Sequence, residues 1–536
     1  MKTEKTPEEK ARTKRLNATI MILAGAIMAL CGLAGGIIAL SGRGDVPDWM
    51  FGGGRAAHAR TGDWTNAAPK VAFQDWGPEP FTRAKKEGKL VLLFLGPSFN
   101  APTARMAAET FADPAVAALA DARLIAVRVR SEGFPDLDRR YRNGGWPTTA
   151  LLLPDGVMLD AGTSMTPETF RRWAGALADK AASHPEILAR ADSEAAGSRK
   201  AAAADRFRAA PPADAARAEE RALAVLSASW DPTRLTFDRR GPRFPRFERI
   251  SALSRLRATW AQTLAAQAAK GALVFQDPRD GGFLRAANPD GTPAALEKTA
   301  ADQAAALDAL CVLEPESARR ELGFLEKNFT PKGAPERWRG WQAGFALDAK
   351  RFAASDGPNF ERFVTLGWRE SGSARLGDDA ELSRAVLDCA ASSPAMKARS
   401  RRVILRAFTD FGKAARTHDP RLLLDDAVAL GQALLAAGET AKALEVWRWM
   451  ERSLAEGPAY LDRVATGILP MEADRIADPA LNARALAFTR TLAAALRGDE
   501  RKNIHLRAEA LYAWLSARPE ALDPAVWAAL AAEEPR

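Results

Sequence analysis

Few side chains in this chain of 536 residues could carry redox chemistry. Its three cysteines are Cys31, Cys311 and Cys389, and no two of them are close in sequence. This spacing excludes a short-spaced zinc or redox site and a disulfide scaffold. Cys311 and Cys389 could pair if they meet in space, but isolated thiols in predicted helices are more often small core residues. The sequence therefore favours two core thiols.

Acid–base chemistry would have to come from histidines or carboxylates. The chain has four histidines, spread over unrelated segments: His58, His184, His418 and His505. We interpret His58 as part of a linker and the other three as surface or capping residues. Glycosidase chemistry needs two carboxyl groups about 5 to 10 Å apart in a cleft. Carboxylates are therefore the remaining candidates for an acid and a base.

Composition indicates ordinary globular domains without a nucleic-acid partner. The chain is 47% hydrophobic and 7% aromatic, and its formal net charge is +9. Acids and bases are mixed along most of its length, as on a solvated helical surface. The arginines lack interleaved aromatics, and the sequence has no zinc finger, no Gly-rich RNA-binding signature and no basic region followed by heptads. We predict no nucleic-acid partner, no metal and no cofactor.

The N-terminal segment has the pattern of a membrane anchor. Residues 16–42 contain no charge, and the run exceeds the roughly 20 residues that cross a bilayer core. Basic residues are dense before this run and sparse after it, which places the N-terminus in the cytoplasm. A cleaved signal peptide is the alternative, because Ala39, Leu40 and Ser41 resemble a cleavage site, but so long an apolar run favours an uncleaved anchor.

The sequence thus predicts a cytoplasmic tail at residues 1–15, a single transmembrane helix at 16–42 and a linker at 43–68. The predicted location is a bacterial-type inner (plasma) membrane, with the bulk of the chain in the periplasm.

Residues 69–187 have the element order of a thioredoxin-like α/β domain. A short helix at 80–88 and a buried strand at 89–96 precede helices at 102–110 and 114–121 and a strand at 122–130. A strand at 148–153, a turn, a second strand and a helix at 166–183 follow, with Thr166 as a predicted N-cap. The segment after the first strand reads GPSFNAPTARM. A thioredoxin-like domain keeps its Cys-x-x-Cys pair there, but this segment has no cysteine.

Residues 188–536 are predicted to be helical throughout. Apolar residues recur at three- and four-residue spacing, interrupted by Pro, Gly and Asp, and no convincing strand is found. Successive helix pairs must bury their apolar stripes against neighbours, as in an α/α toroid or a solenoid. No fixed repeat length recurs, which favours the toroid.

Several strings resemble the YyaL-type (spermatogenesis-associated) thioredoxin-like family, which couples this domain to a six-hairpin α/α toroid. They include WGPEPFTRAKKEGKLVLLFLG, ETFADPAVAALADARLIAVRV and GGWPTTALLLPDG in the first domain, then PRFPRFERISAL, DPRDGGF, EKTAADQAAAL and GFALDA. The resemblance is specific in the first domain and becomes vague after residue 350.

This chain lacks the reactive side chains that the family pattern carries in the loop after the first strand. The family carries Cys-His-x-Cys-His after the first strand, whereas this chain has Asn100 and Thr103 at the two Cys positions and alanines at the two His positions. A thiolate is the nucleophile of disulfide exchange, and neither replacement can act in its place. Trp146-Pro147 resembles the cis-proline loop that presents backbone groups to an extended peptide. The alternative is that Pro147 merely begins a strand, with the isomer left open.

In the second domain, the family has His-Phe-Glu-Lys where this chain has ALEK, so the family's histidine is absent. Carboxylates that fall in or near the family-like strings are Asp280, Glu297, Asp302, Asp348, Asp425 and Asp426. Three of them are retained by the family pattern and are the predicted catalytic candidates: Glu297, Asp302 and Asp348.

Three functions remain open from the sequence. The first, which we favour, is a membrane-anchored, redox-inactive interaction or scaffold subunit of a membrane-associated complex, with protein partners and no enzymatic activity. The second is a carbohydrate-active enzyme, a glycoside hydrolase or sugar isomerase, that uses carboxylates of the toroid. The third is a thiol oxidoreductase acting through Cys311 or Cys389, neither of which has the helix N-terminal setting that lowers a thiol pKa.

Overall fold

The computed structural model describes residues 69–331, 333, 336–344, 368–370, 374–417, 419, 421–464 and 475–533. Within them, an α/β domain is followed by a helical domain. The described helices of the α/β domain are α1 (Pro78–Glu87), α2 (Ala101–Glu109), α3 (Pro114–Arg123), α4 (Pro135–Tyr141) and α5 (Pro167–Ser183). Its strands are β1 (Gln74–Asp75), β2 (Leu90–Gly96), β3 (Leu124–Arg130), β4 (Thr148–Leu152) and β5 (Met158–Gly162).

The five strands form one mixed sheet with the order β1-β3-β2-β4-β5. Strand β3 pairs in parallel with β1 and β2, while β2, β4 and β5 pair antiparallel. Every residue of β2 is buried, because helices cover both faces of the sheet. The predicted thioredoxin-like architecture is confirmed. The elements that the sequence bounds lie within a few residues of those bounds, whereas β1 and α4 were not predicted.

The helices that follow are numbered on in chain order. They are α6 (Pro185–Asp205), α7 (Ala215–Ser229), α8 (Phe247–Arg255), α9 (Thr259–Ala272), α10 (Ala300–Leu313), α11 (Pro315–Asn328), α12 (Leu376–Asp388), α13 (Pro394–Arg416), α14 (Leu424–Ala436), α15 (Thr440–Ser453), α16 (Pro479–Ala495), α17 (Gly498–Ser516) and α18 (Pro524–Ala532).

Alternate helices of this domain form an inner and an outer layer. Among the described residues, the inner layer consists of α8, α10, α12, α14, α16 and α18. Each helix from α8 to α14 packs against the next inner helix, and α18 packs against α8. The ring closes where Arg490 of α16 donates to the carbonyl of Leu530 in α18. Each inner helix also packs on an outer one, with α7 covering α18. The predicted toroid-like fold is confirmed.

Short strands interrupt the helical domain, although the sequence predicts none there. They are β6 (Ala286–Ala287), β7 (Pro293–Ala295), β8 (Glu297–Thr299), β9 (Trp341–Gly344), β10 (Trp368–Glu370), β11 (Ala455–Glu456) and β12 (Ala459–Tyr460). Strand β9 pairs antiparallel with both β8 and β10. Strands of two to four residues are too short to show an alternating pattern, which is why the sequence misses them.

The expectation of two unpaired core thiols is wrong. Cys311 on α10 and Cys389 at the end of α12 form a disulfide, with 5.6 Å between their Cα atoms. The two inner helices are neighbours, so their ends meet although the cysteines are 78 residues apart in sequence. No short spacing signals such a pair.

The membrane-anchored part of the predicted architecture, and the location inferred from it, are not upheld. The predicted span at 16–42 lies outside the described residues. Among the described helices, none is both long and apolar enough to cross a bilayer. The longest, α13, is amphipathic and strongly charged. The fold is therefore corrected to a thioredoxin-like domain followed by a toroid-like helical domain, while the predicted domain boundaries stay predictions.

Candidate functional site at the domain interface

Hydrogen bonds join Asn100 and Thr103 in the segment that replaces the redox loop. Asn100 is the N-cap of α2, and its Oδ1 accepts from the backbone N–H of Thr103 at 3.1 Å and from the Thr103 hydroxyl at 2.9 Å. Thr103 is fully buried. The two residues at the former cysteine positions therefore bond to each other, and the Thr103 hydroxyl donates to an amide oxygen rather than to a base.

Glu297, the first residue of β8, faces this loop from the helical domain. The Asn100 side-chain amide donates to Glu297 Oε1 at 3.4 Å. Glu297 is only 6% exposed. Burial raises the pKa of Glu297 to about 7, against the opposing effects of Arg285 and the Asn100 hydrogen bond, and nearby Asp302 adds to the rise. Near neutral pH the carboxyl group can therefore hold or release a proton.

Aromatic side chains from both domains surround this contact. Phe99 lies edge-on to Trp146 of its own domain and to Trp341 of β9, with ring centroids 6.1 and 6.0 Å apart. The Arg285 guanidinium lies 4.7 Å from the Trp146 ring centroid and 5.5 Å from that of Phe99. Since Phe99 and Trp341 are almost fully buried, the former redox loop is packed against the helical domain.

The loop predicted to bind peptides takes part in the same packing. The Trp146-Pro147 peptide bond is cis, which answers the question of isomer that the sequence leaves open. The Trp146 indole N–H donates to Asp138 Oδ1 at 2.7 Å. The peptide-binding role of Trp146 and Pro147 stays a prediction, and in this structure Trp146 contacts Arg285 of the helical domain.

Of the three predicted catalytic carboxylates, the structure describes Glu297 and Asp302. Asp302 lies in the first turn of α10, where the Thr299 hydroxyl donates to its Oδ2 at 2.6 Å, and its Oδ2 is 3.8 Å from Arg285 Nε. Its contacts are those of a helix cap. Glu297 and Asp302 share Arg285 as a neighbour, whereas Asp348 lies outside the described residues. Asp280 binds the buried ammonium of Lys298 at 2.7 Å.

A second junction joins the domains through two charge pairs. Arg463, which follows β12, donates to Asp136 of α4 at 2.9 Å. Arg139 of the same helix lies 3.6 Å from Asp462. Burial raises the pKa of Asp462 to about 7, against the effect of Arg139. The thioredoxin-like domain therefore contacts the helical domain both before α10 and before α16.

The beginnings of the inner helices share an ionic network that the sequence did not predict as a unit. Arg375, just before α12, donates to Asp426 at 2.5 Å and lies 3.6 Å from Asp425. Arg484 of α16 donates to Asp425 at 3.0 Å and to Glu381 of α12 at 3.1 Å. These helices begin at the same end of the toroid because they run in the same direction, and we call this end the mouth. The sequence does not show that these helices lie parallel, which is why the network could not be predicted from it.

Two carboxyl groups of the mouth have pKa values shifted in opposite directions. Burial raises the pKa of half-buried Asp378 to about 7 although Arg375 opposes the rise. Burial also opposes ionisation of Asp425, but Arg484, Arg375 and Arg139 of the other domain outweigh it and hold the pKa of Asp425 below its usual range. Near neutral pH Asp378 can therefore hold or release a proton while Asp425 is ionised, a difference that acid–base pairs use.

Comparison with known proteins agrees with the resemblance found in the sequence. Residues 64–183 match the Thioredox_DsbH family model, described as a protein of unknown function, DUF255. Human spermatogenesis-associated protein 20 is 31% identical over 106 residues, which are 18% of this chain and 14% of that protein. An uncharacterized Caenorhabditis elegans protein, B0495.5, is 30% identical over 113 residues, 20% of this chain and 16% of the relative. The chain therefore matches less than a fifth of the length of these relatives.

Among solved structures, cellobiose 2-epimerase from Bacillus thermoamylovorans B4167 is similar over 50% of this chain and 75% of its own, with 12% identity and a TM-score of 0.38. At such a score the likeness has no bearing on function. The resemblance to the YyaL-type and spermatogenesis-associated proteins is confirmed for the thioredoxin-like domain.

Proposed function

We propose that this chain is a thioredoxin-like protein without disulfide-exchange activity that acts as an interaction or scaffold subunit of a protein complex. One observation carries the proposal: Asn100 and Thr103 occupy the former cysteine positions and bond to each other, and Asn100 also donates to Glu297 of the second domain. Disulfide exchange requires a thiolate at this place. The loop instead serves as a joint between the domains.

The disulfide of the helical domain gives the experiment its control. The full chain and its C311S/C389S variant are assayed for dithiol-driven reduction of a disulfide-bonded protein substrate. We expect both to match the uncatalysed rate. Acceleration by the wild type that disappears in the variant would contradict the proposal, since it would assign thiol chemistry to Cys311 and Cys389.

A second candidate function is acid–base catalysis on a carbohydrate in the mouth of the toroid. It is favoured by Asp378 and Asp425, which combine opposite pKa shifts within one ionic network. Asp378 would act as the acid and Asp425 as the base or charge stabiliser.

This candidate is tested by screening oligosaccharides for hydrolysis and isomerisation with the wild type, D378N and E316Q. Glu316 is an exposed glutamate at the start of α11 and serves as the matched control. The candidate requires D378N to lose about 100-fold or more in turnover while E316Q stays active. Absence of turnover by the wild type would exclude this second candidate function.

A further inference from the structure

The outer helix α13 carries most of the chain's net charge. Within Pro394–Arg416, seven basic residues face one acid, Asp410, which is a net charge of +6 out of +9 for the whole chain. The basic residues are Lys397, Arg399, Arg401, Arg402, Arg406, Lys413 and Arg416. The mixture of acids and bases that holds along most of the sequence therefore does not hold here.

The basic residues occupy the solvent side of α13. The opposite side is buried in the core through Met396, Val403, Ile404, Ala407 and Phe411. At 100° per residue, the exposed side chains at 401, 402, 405, 406, 409, 413 and 416 fall on one face. Two of the bases are exceptions: Lys397 is half-buried, and the Arg399 guanidinium lies 3.8 Å from the Trp338 ring centroid.

Part of this face is not neutralised within the described chain. Arg406 and Lys413 both approach Asp410, at 3.2 and 3.8 Å, and Asp410 is also bound by Arg337. Arg401, Arg402 and Arg416 form no ion pair with any described residue. Like charges on neighbouring turns destabilise a helix. The stability of the fold therefore does not explain why these arginines are clustered.

We propose that the exposed face of α13 binds an acidic segment of a partner protein. The proposal rests on the scaffold function proposed above and adds the chemistry of the partner. Guanidinium groups bind carboxylates in a bidentate way. Leu405, 38% exposed between the arginines, offers an apolar contact to a peptide side chain. The face extends from 401 to 416, about 23 Å at 1.5 Å per residue, which suits a helical segment of at least that length.

Other anionic partners fit this face less well. An amphipathic helix enters a membrane interface through its apolar side, and that side of α13 is buried in the protein. Proteins that bind single-stranded nucleic acid stack bases on exposed aromatic rings. Phe408 and Phe411, the aromatic residues of α13, pack instead on the core.

The test measures binding of the full chain to a Glu-rich helical peptide of about 20 residues. R401E/R402E/R416E reverses three charges on α13, and R171E/R172E/K180E reverses three exposed charges on α5 as the matched control. Circular dichroism establishes that each variant is folded. We expect salt-sensitive binding that weakens about 10-fold or more in the α13 variant and changes little in the control.

Equal loss in both variants, or no binding by the folded wild type, would overturn the proposal. Two parallel arms use vesicles rich in phosphatidylserine and a DNA duplex. Tighter α13-dependent binding to either would also overturn it, in favour of lipid or nucleic acid. The disulfide-reduction assay does not depend on α13, so these outcomes are separable from failure of the proposed function.

Discussion

Asn100 shows how a redox position can be reused without changing the fold. The side-chain oxygen of Asn100 caps the N-terminus of α2, a role for which asparagine is among the preferred residues. Its amide nitrogen reaches Glu297 of the other domain. A cysteine offers neither a strong acceptor nor a strong donor, so the substitution exchanges a nucleophile for a two-sided hydrogen-bonding group.

Glu297 makes the free energy of unfolding depend on pH. Its pKa rises from an ordinary 4.5 to about 7 in the folded chain, chiefly through burial. The folded chain therefore holds this proton more tightly, and stability falls as pH rises from 4.5 to about 7. We predict that E297Q, which mimics the protonated form, matches the wild type near pH 4.5 and exceeds it by about 3 kcal/mol near pH 8.

Urea unfolding across this pH range checks the prediction, with E316Q as a control for an exposed glutamate. Parallel stability profiles for the wild type and E297Q would show that Glu297 is not buried as described.

At the scale of elements, Asp302 takes part in the cap of α10. A structural role in this cap can be distinguished from a catalytic role by measuring stability and turnover. The Thr299 hydroxyl accepts from the backbone N–H of Asp302 and donates to its carboxylate. We predict that T299A costs about 1 kcal/mol of stability. D302A should cost a comparable amount and leave any ligand turnover unchanged. T166A, which removes the corresponding cap of α5, is the matched control in thermal unfolding.

Loss of turnover without loss of stability in D302A would instead support the catalytic role that the sequence suggested for Asp302.

The long elements of this chain could be predicted from its sequence, and their contacts could not. Strand β2 is a continuous apolar run and α5 has a cap and an amphipathic pattern, so local residues determine both. Glu297 could be singled out by resemblance, but its contact with Asn100 spans 197 residues. The Cys311–Cys389 bond and the ionic network of the mouth likewise depend on which helices become neighbours. No local pattern encodes that.

At the scale of the whole molecule, buried charge pairs contribute to docking of the two domains. Asp136 and Arg463 have side chains 8% and 16% exposed, so little water screens their attraction. We predict a coupling free energy of about 1 to 3 kcal/mol in a double-mutant cycle of D136A and R463A, measured by chemical unfolding. The exposed pair Arg190–Glu194 within α6 should give about 0.5 kcal/mol or less.

Equal coupling at the two pairs would mean that the Asp136–Arg463 contact does not help to hold the domains together.

The central claim is that the former redox position is a joint between the two domains. Its most direct test is chemical cross-linking of N100C/E297C with a short reagent that bridges two thiols, followed by peptide mapping. Position 316, on α11, supplies the control pair N100C/E316C. We predict that most N100C/E297C molecules become cross-linked within the chain and that the control pair does not. Separate modification of the two introduced thiols without a bridge, in folded protein, would contradict the account.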